Sequence, residues 1–186
     1  MNAGRLIYLM GPSGAGKDSV LQRLQQSLEG RGCRIARRVI TRSAEAMGEE
    51  AVSVSHREFG ERERAGDFAM VWRANGLAYG IPREIEEWLA DGYQVIVNGS
   101  RGYLDEARGK YPDLLAVLLQ VEPAILRKRL LARAREDVGE IEARLARSAE
   151  LSGSAFMQAD RRIIRLDNSG SLDETVERLL RLIDSH

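Results

Sequence analysis

The sequence predicts an α/β protein: a parallel sheet with helices on both faces, a small inserted α/β region and an arginine-bearing helical lid. Two observations carry the core of that expectation. Short apolar runs recur along the chain and alternate with stretches of helical periodicity. Within each run the apolar residues are consecutive rather than every second one, as strands buried on both faces require.

Taken in order, "RLIYLM" (5–10) is the first strand. "KDSVLQRLQQSLEGRG" (17–32) is a helix with Val20, Leu21, Leu24 and Leu28 on one face, stopped by glycines. "CRIARRVI" (33–40), "YQVIVN" (93–98), "LLAVLLQV" (114–121) and "RRIIRL" (161–166) supply further strands. Helices are expected at about 82–90, 101–110, 123–150 and 171–184, with Pro82 and Pro123 in first turns. Ser171 with Glu174, and Ser55 with Glu58, have the spacing of capping boxes. Residues 41–81 break the rhythm with a polar loop, a short helix and a hairpin around Ala74-Asn75-Gly76, read as an insertion over the sheet edge. The whole of 1–186 reads as one domain, with the lid at about 133–150.

Bulk properties exclude several function classes. Lys plus Arg and Asp plus Glu number 28 each, so the chain lacks the overall basic charge of a nucleic-acid binder. Cys33 is a single cysteine, which forbids an internal disulfide and favours a reducing compartment; it reads as an inert core thiol. The start lacks the features of a secretory signal, and no run reaches membrane-spanning length. His56 and His186 lie too far apart in sequence to suggest a histidine metal cluster. The expected location is cytoplasmic.

Between the first strand and first helix stands Gly11-Pro12-Ser13-Gly14-Ala15-Gly16-Lys17. Glycines let the backbone curl so that successive N–H groups face phosphate oxygens, and the helix N-terminus adds favourable potential. Lys17 adds a full charge for the outer phosphates. With strand, loop and helix in sequence, the pattern G-x-x-x-x-G-K reads as a nucleoside triphosphate site, with ATP and Mg²⁺ as expected ligands. The next residue in such loops usually offers Mg²⁺ a hydroxyl, while a carboxylate ending another strand helps hold the ion. Here Asp18 follows the lysine, Ser19 comes after it, and the strand 93–98 ends in the amide Asn98. The two departures would offset one another, with Asp18 as metal ligand and the net charge of the site unchanged. A plainer reading makes Asp18 only an acid in a first helical turn.

These residues, with "ITR" (40–42), Gly48-Glu49, "VSHREF", "GDF", "GLAYG" and "RLLARAREDVGEIEARL", resemble the guanylate kinase family of phosphotransferases over nearly the whole chain. The resemblance departs at the acceptor. Met70 and Ile81 stand where that family places the Glu and Ser that read guanine, Glu45 replaces a second loop arginine, and a phosphate-contacting tyrosine has no counterpart. Loss of polar partners for a base forfeits orders of magnitude in discrimination. "LMGPSGAGKDS", "WRANGLAYG", "VNGSR" and "EIEARLAR" are more similar to the ribose 1,5-bisphosphate phosphokinases of phosphonate degradation. That resemblance implies transfer of the ATP γ-phosphoryl group to a sugar bisphosphate, giving 5-phosphoribosyl 1-diphosphate.

It also implies roles. Lys17 would serve the donor phosphates together with Gly11 through Ser19. Arg133 and Arg144, eleven residues apart, would cover the transferring group from the lid, with Arg135 and Arg147 as weaker candidates. Arg42, Tyr79 and Arg101 would hold the acceptor, with hydrogen bonds from Asn98 and Ser100. The nucleophile is a phosphate oxygen, already ionised, so no general base is needed. Arg127, Lys128 and Arg129 read as a solvated face, and Trp72 and Trp88 as packing residues. Two other functions compete: a nucleoside monophosphate kinase of altered base choice, and a non-catalytic interaction module of the guanylate kinase type.

Overall fold

The computed structural model describes residues 4–42, 51–133 and 136–185. Glu45, Gly48, Glu49 and Arg135 lie outside these.

Five strands form the central sheet: β1 (Leu6–Met10), β2 (Cys33–Ile35), β7 (Gln94–Asn98), β8 (Leu115–Gln120) and β9 (Ile163–Asp167). Their spatial order is β2-β7-β1-β8-β9, and every pairing is parallel. Consecutive side chains of β1 enter different cores. Leu6, Tyr8 and Met10 pack with Val95, Val97, Ala116 and Leu118 on one face. Ile7 and Leu9 pack on the other with Val20 and Leu24 of α1 (Lys17–Gln25) and Val176, Leu179 and Ile183 of α8 (Leu172–Asp184). Every residue of β1 is buried, which is why the run is apolar without alternation.

The inserted region is richer than a hairpin. β3 (Val39–Ile40), β4 (Val52–Ser53), β5 (Phe68–Ala74) and β6 (Leu77–Pro82) form a second sheet in the order β4-β3-β6-β5. α2 (His56–Arg64) closes over it, with Phe59 packed on Val39, Val54 and Ala78. Asn75 and Gly76 turn the β5–β6 hairpin with φ of 52° and 75°, the left-handed pair a two-residue turn needs.

Several expectations are corrected. The run 33–40 is two strands, because Ala36 leaves the central sheet after its N–H meets the Ile96 carbonyl and β3 joins the second sheet. α1 ends at Gln25, where three-residue turns take over and Gly30 and Gly32 adopt positive φ; Leu28 still reaches the core. Pro82 ends β6 instead of opening α3 (Glu84–Ala90). The stretch 101–110 begins as one 3-10 turn, Arg101–Tyr103, before α4 (Leu104–Lys110). The stretch 123–150 is two helices, α5 (Pro123–Arg133) and α6 (Val138–Gly153), followed by α7 (Ala155–Ala159). Ser171 is an N-cap without a side-chain hydrogen bond, while Ser55 does accept from the Glu58 N–H. A full capping box sits instead on Asp137 and Glu140, starting α6.

Candidate active site

The loop from Gly11 to Lys17 leaves β1 at the carboxyl edge of the sheet, where ligands of open α/β folds bind. Its path is set by missing side chains. Gly14 and Gly16 have φ of 87° and 91°. A Cβ on Gly14 would stand 2.9 Å from Leu130, and one on Gly16 would stand 2.7 Å from the Asn168 amide. The loop is therefore pressed against α5 and against the end of β9.

Asn168 is a site residue that sequence reasoning missed. It is buried; its Nδ2 donates to the Ala15 carbonyl at 2.7 Å and its Oδ1 accepts from the Thr175 hydroxyl at 2.7 Å. Arg129 donates to the Asn168 carbonyl at 2.8 Å, so it braces this corner and does not simply solvate a helix face. Arg127 does fit the solvated reading, paired with Glu142 across to α6. No local pattern in the sequence marks Asn168, because its partner Ala15 lies 153 positions away.

Lys17 Nζ donates to the carbonyls of Gly11 and Pro12 at 2.7 and 3.2 Å, placing the ammonium across the mouth of the loop. Ser19 is exposed on α1. Asp18 is half-buried, and the Asn98 Nδ2 donates to its Oδ1 at 3.3 Å. The two residues that depart from the usual loop chemistry, eighty positions apart, are thus in contact. Asn98 is 3% exposed, and its Oδ1 is buried with no hydrogen-bond partner among the described residues.

Donor chemistry at this corner fits a nucleotide and Mg²⁺. The loop supplies a backbone cradle, Lys17 a cation, and Asp18 one hard oxygen donor of the kind Mg²⁺ takes alongside phosphate oxygens and water. Among the described residues no cluster of three or more His, Cys, Asp or Glu offers an all-protein cage. Cys33 is buried, and burial pushes its thiol up to about 11, consistent with an inert core group.

On the other side of Asn98 the chain turns through Gly99 and Ser100 into Arg101. Tyr8, fully buried in β1, fixes this turn: its hydroxyl donates to the Ser100 carbonyl at 2.8 Å and accepts from the Ser100 N–H at 2.9 Å. Burial is the main reason its phenol is held far above the ordinary range. The Ser100 Oγ accepts from Gly102 N–H, capping the 3-10 turn. Arg101 is half-buried, with its pKa lowered by burial, and it donates to the Ser148 carbonyl of α6 at 3.3 Å.

Arg42 follows Thr41, which is pinned to β6: its N–H donates to the Ala78 carbonyl and its Oγ1 accepts from the Ala78 N–H. Tyr79 is half-buried and stacks on Trp72, with ring centroids 5.5 Å apart and planes within 4°. Trp72 also stacks on Tyr103 in the core, and Trp88 packs against the same core, as expected of packing residues. Met70 and Ile81 are register partners in the hairpin, and both are fully buried. No polar contact with a base can come from either.

The two arginines expected on a lid differ. Arg144 in α6 donates to the Ser13 Oγ of the phosphate loop at 3.0 Å and is ion-paired with Glu136. Arg133 is exposed in the last turn of α5, and Arg147 is exposed on α6. A separate cavity of about 440 Å³, bordered by Arg5, Leu6, Glu86, Lys110 and Tyr111, lies at the opposite, amino-terminal end of the strands. Among the described residues no helix is long and apolar enough to cross a membrane.

Comparison with known proteins places this arrangement. No family model matches the sequence. Ribose 1,5-bisphosphate phosphokinase PhnN of Pseudomonas paraeruginosa (strain DSM 24068 / PA7) is 64% identical over 177 residues, covering 95% of this chain and 94% of that protein. The proteins of the same name from Azotobacter vinelandii (strain DJ / ATCC BAA-1303) and Desulfomicrobium baculatum (strain DSM 4028 / VKM B-1378 / X) are 58% and 48% identical, over 97% and 96% of this chain and 96% and 94% of theirs. Among solved structures, guanylate kinase from Anaplasma phagocytophilum superposes with a TM-score of 0.76 over 98% of this chain and 86% of that one; at 18% identity it bears on the fold alone. High identity along almost the full length of both partners, on a guanylate kinase fold, means that the chain belongs to the ribose 1,5-bisphosphate phosphokinase PhnN family.

Proposed function

We propose that this chain transfers the γ-phosphoryl group of ATP to the C1-phosphate of ribose 1,5-bisphosphate, giving 5-phosphoribosyl 1-diphosphate and ADP. Beyond the family, the observation that carries the reading is the acceptor wall. Met70 and Ile81, fully buried register partners, leave a base without its expected readers, while Arg42, Tyr79 and Arg101 supply groups suited to phosphate. A sugar bisphosphate without a base suits such a wall.

In this reading Gly11 through Ser19 enclose the donor phosphates, with Lys17 swinging from its loop carbonyls to the β- and γ-phosphates. Asp18 would be the carboxylate toward Mg²⁺, which when bound would neutralise phosphate charge. Asn98 holds Asp18 in place by its amide. Arg144, already seated on Ser13, would cover the transferring phosphoryl, and Arg133 would join it on closure of 133–150. The region 41–81 would hold the acceptor through Arg42 and Tyr79, with Arg101, Ser100 and Asn98 completing the grip. The attacking oxygen is already anionic, so orientation and charge stabilisation do the catalytic work and no side chain removes a proton. Closure also excludes water, the competing acceptor.

The test is ³¹P NMR of purified protein with ATP and Mg²⁺, offered ribose 1,5-bisphosphate or GMP. A new diphosphate on the sugar with GMP untouched is the expected result. Turnover of GMP would replace this reading by the nucleoside monophosphate kinase one, and failure to bind ATP would restore the non-catalytic module.

A further inference from the structure

The acceptor side carries a cation that no motif announced. Arg38 lies in the link between β2 and β3, where the chain has just left the central sheet beside the carboxyl end of β7. Its Nη1 donates to the Asn98 carbonyl at 3.2 Å. Its guanidinium carbon stands 5.0 Å from the centre of the Tyr79 ring, and that ring is backed by Trp72. The fork is thus held on one edge by a carbonyl and on one face by an aromatic wall, a setting that suits recognition of a planar-edged anion such as phosphate.

We infer that Arg38 grips the acceptor phosphate that does not react, the C5-phosphate, and so selects a doubly phosphorylated sugar. This rests on the acceptor proposed above. Donor groups gather at the phosphate loop, where Arg144 stands on Ser13 and Asp18 points toward the Asn98 amide. The phosphate that accepts the phosphoryl group must lie next to them. Arg38 meets Asn98 at the backbone carbonyl and leans on the hairpin through Tyr79, so an anion against it is displaced from the loop toward the hairpin. Charge agrees as well. Each phosphate monoester carries about −1.5 to −2 near neutral pH. A bisphosphate therefore offers two anionic groups, one for the donor side and one for the Arg38 fork.

The experiment measures KM and kcat for ribose 1,5-bisphosphate in wild type, Arg38→Ala and Arg38→Lys. It adds inhibition constants for ribose 5-phosphate and ribose 1-phosphate, and ATP affinity by calorimetry as a check on folding. Removal of charge-assisted hydrogen bonds should raise KM about 10- to 100-fold while kcat stays within about threefold, since binding remote from the reacting centre is felt equally in ground and transition states. Arg38→Ala should weaken ribose 5-phosphate by a similar factor and leave ribose 1-phosphate within about twofold. Arg38→Lys, which keeps charge but not the fork, should fall between. A fall in kcat at constant KM, equal losses for both monophosphates, or lost ATP affinity would overturn the inference and make Arg38 only a brace for Asn98. Wild-type protein that ignores the bisphosphate and turns over GMP would remove the acceptor reading itself, and this inference with it.

Discussion

At the residue scale the decisive contact is the hydrogen bond from Asn98 to Asp18. If Asp18 is the carboxylate that serves the metal and Asn98 the neutral partner that keeps site charge constant, exchanging their types should matter more singly than together. Asn98→Asp would set two carboxylates side by side, and one of them would be driven to bind a proton. We expect Asp18→Ser and Asn98→Asp each to raise the Mg²⁺ concentration needed for half-maximal rate by about tenfold or more, roughly the worth of one charged contact. Asp18→Ser combined with Asn98→Asp should recover much of it. Mg²⁺ titrations at fixed ATP decide, and losses that simply add would reject the exchange. Gly99 offers a second case. A Cβ there would lie 2.2 Å from the Tyr8 ring, so Gly99→Ala must displace the turn carrying Asn98, Ser100 and Arg101. Its expected signature is a higher acceptor KM and a lowered melting temperature, with ATP affinity retained. Asp18 and Asn98 were legible in the sequence because each broke a known pattern. Arg38 and Asn168 were not, because their roles depend on neighbours 60 and 153 positions away that no local pattern records.

At the element scale the lid carries the next prediction. Ile141 of α6 packs with Leu126 and Leu130 of α5, α6 is started by the Asp137–Glu140 box, and the helix is joined to the site by Arg144 at Ser13 and by Arg101 at Ser148. Arg144 is therefore the arginine of α6 already oriented on the loop. Arg144→Ala should lower kcat about 10³-fold, the scale of a transition-state arginine in phosphoryl transfer, while ATP affinity falls much less. Rapid-quench turnover against calorimetric ATP binding separates the two, and matched losses would make Arg144 a ground-state contact. Asp137→Ala should cost about 1 kcal/mol through loss of the cap, and reduce turnover without altering the acceptor KM. The strands of the central sheet could be read directly, because burial on both faces leaves an uninterrupted apolar run. Residues 33–40 could not be divided correctly: apolarity marks a strand but not the sheet it joins, and the break at Ala36 is decided by pairing with β7 and β6. The same limit hid the second sheet, whose β3 and β4 are two residues each.

At the scale of the whole molecule, the phosphate loop depends on both faces of the sheet at once. Leu119, Asn168 and α5 fix it from one side, while the Tyr8 core holds the turn at Gly99 and Ser100 on the other. The segment entering β9 is tied across that second core by a nearly buried ion pair between Arg108 of α4 and Asp160, whose side chains are 12% and 7% exposed. Burial alone would raise the Asp160 carboxyl, but hydrogen bonds from Arg108 and Arg162 outweigh it and hold the group at about 2, against an ordinary 3.8. The folded state therefore favours the ionised form. Its contribution to stability is complete above about pH 4 to 5 and is lost progressively as pH falls through about 2. Asp160→Asn leaves Arg108 without its charge partner and should destabilise the fold by roughly 3 kcal/mol near neutral pH. Urea unfolding of wild type and variant at pH 6, 4 and 2.5 gives the check. The gap in midpoint should be widest at pH 6, begin to close below pH 4, and fall to about a third at pH 2.5, where the unfolded carboxyl is protonated and the folded one, at about 2, is beginning to be. A gap that stays constant across the range would mean that Asp160 contributes through packing or neutral hydrogen bonds, and that the ion pair does not set the acid stability of this face.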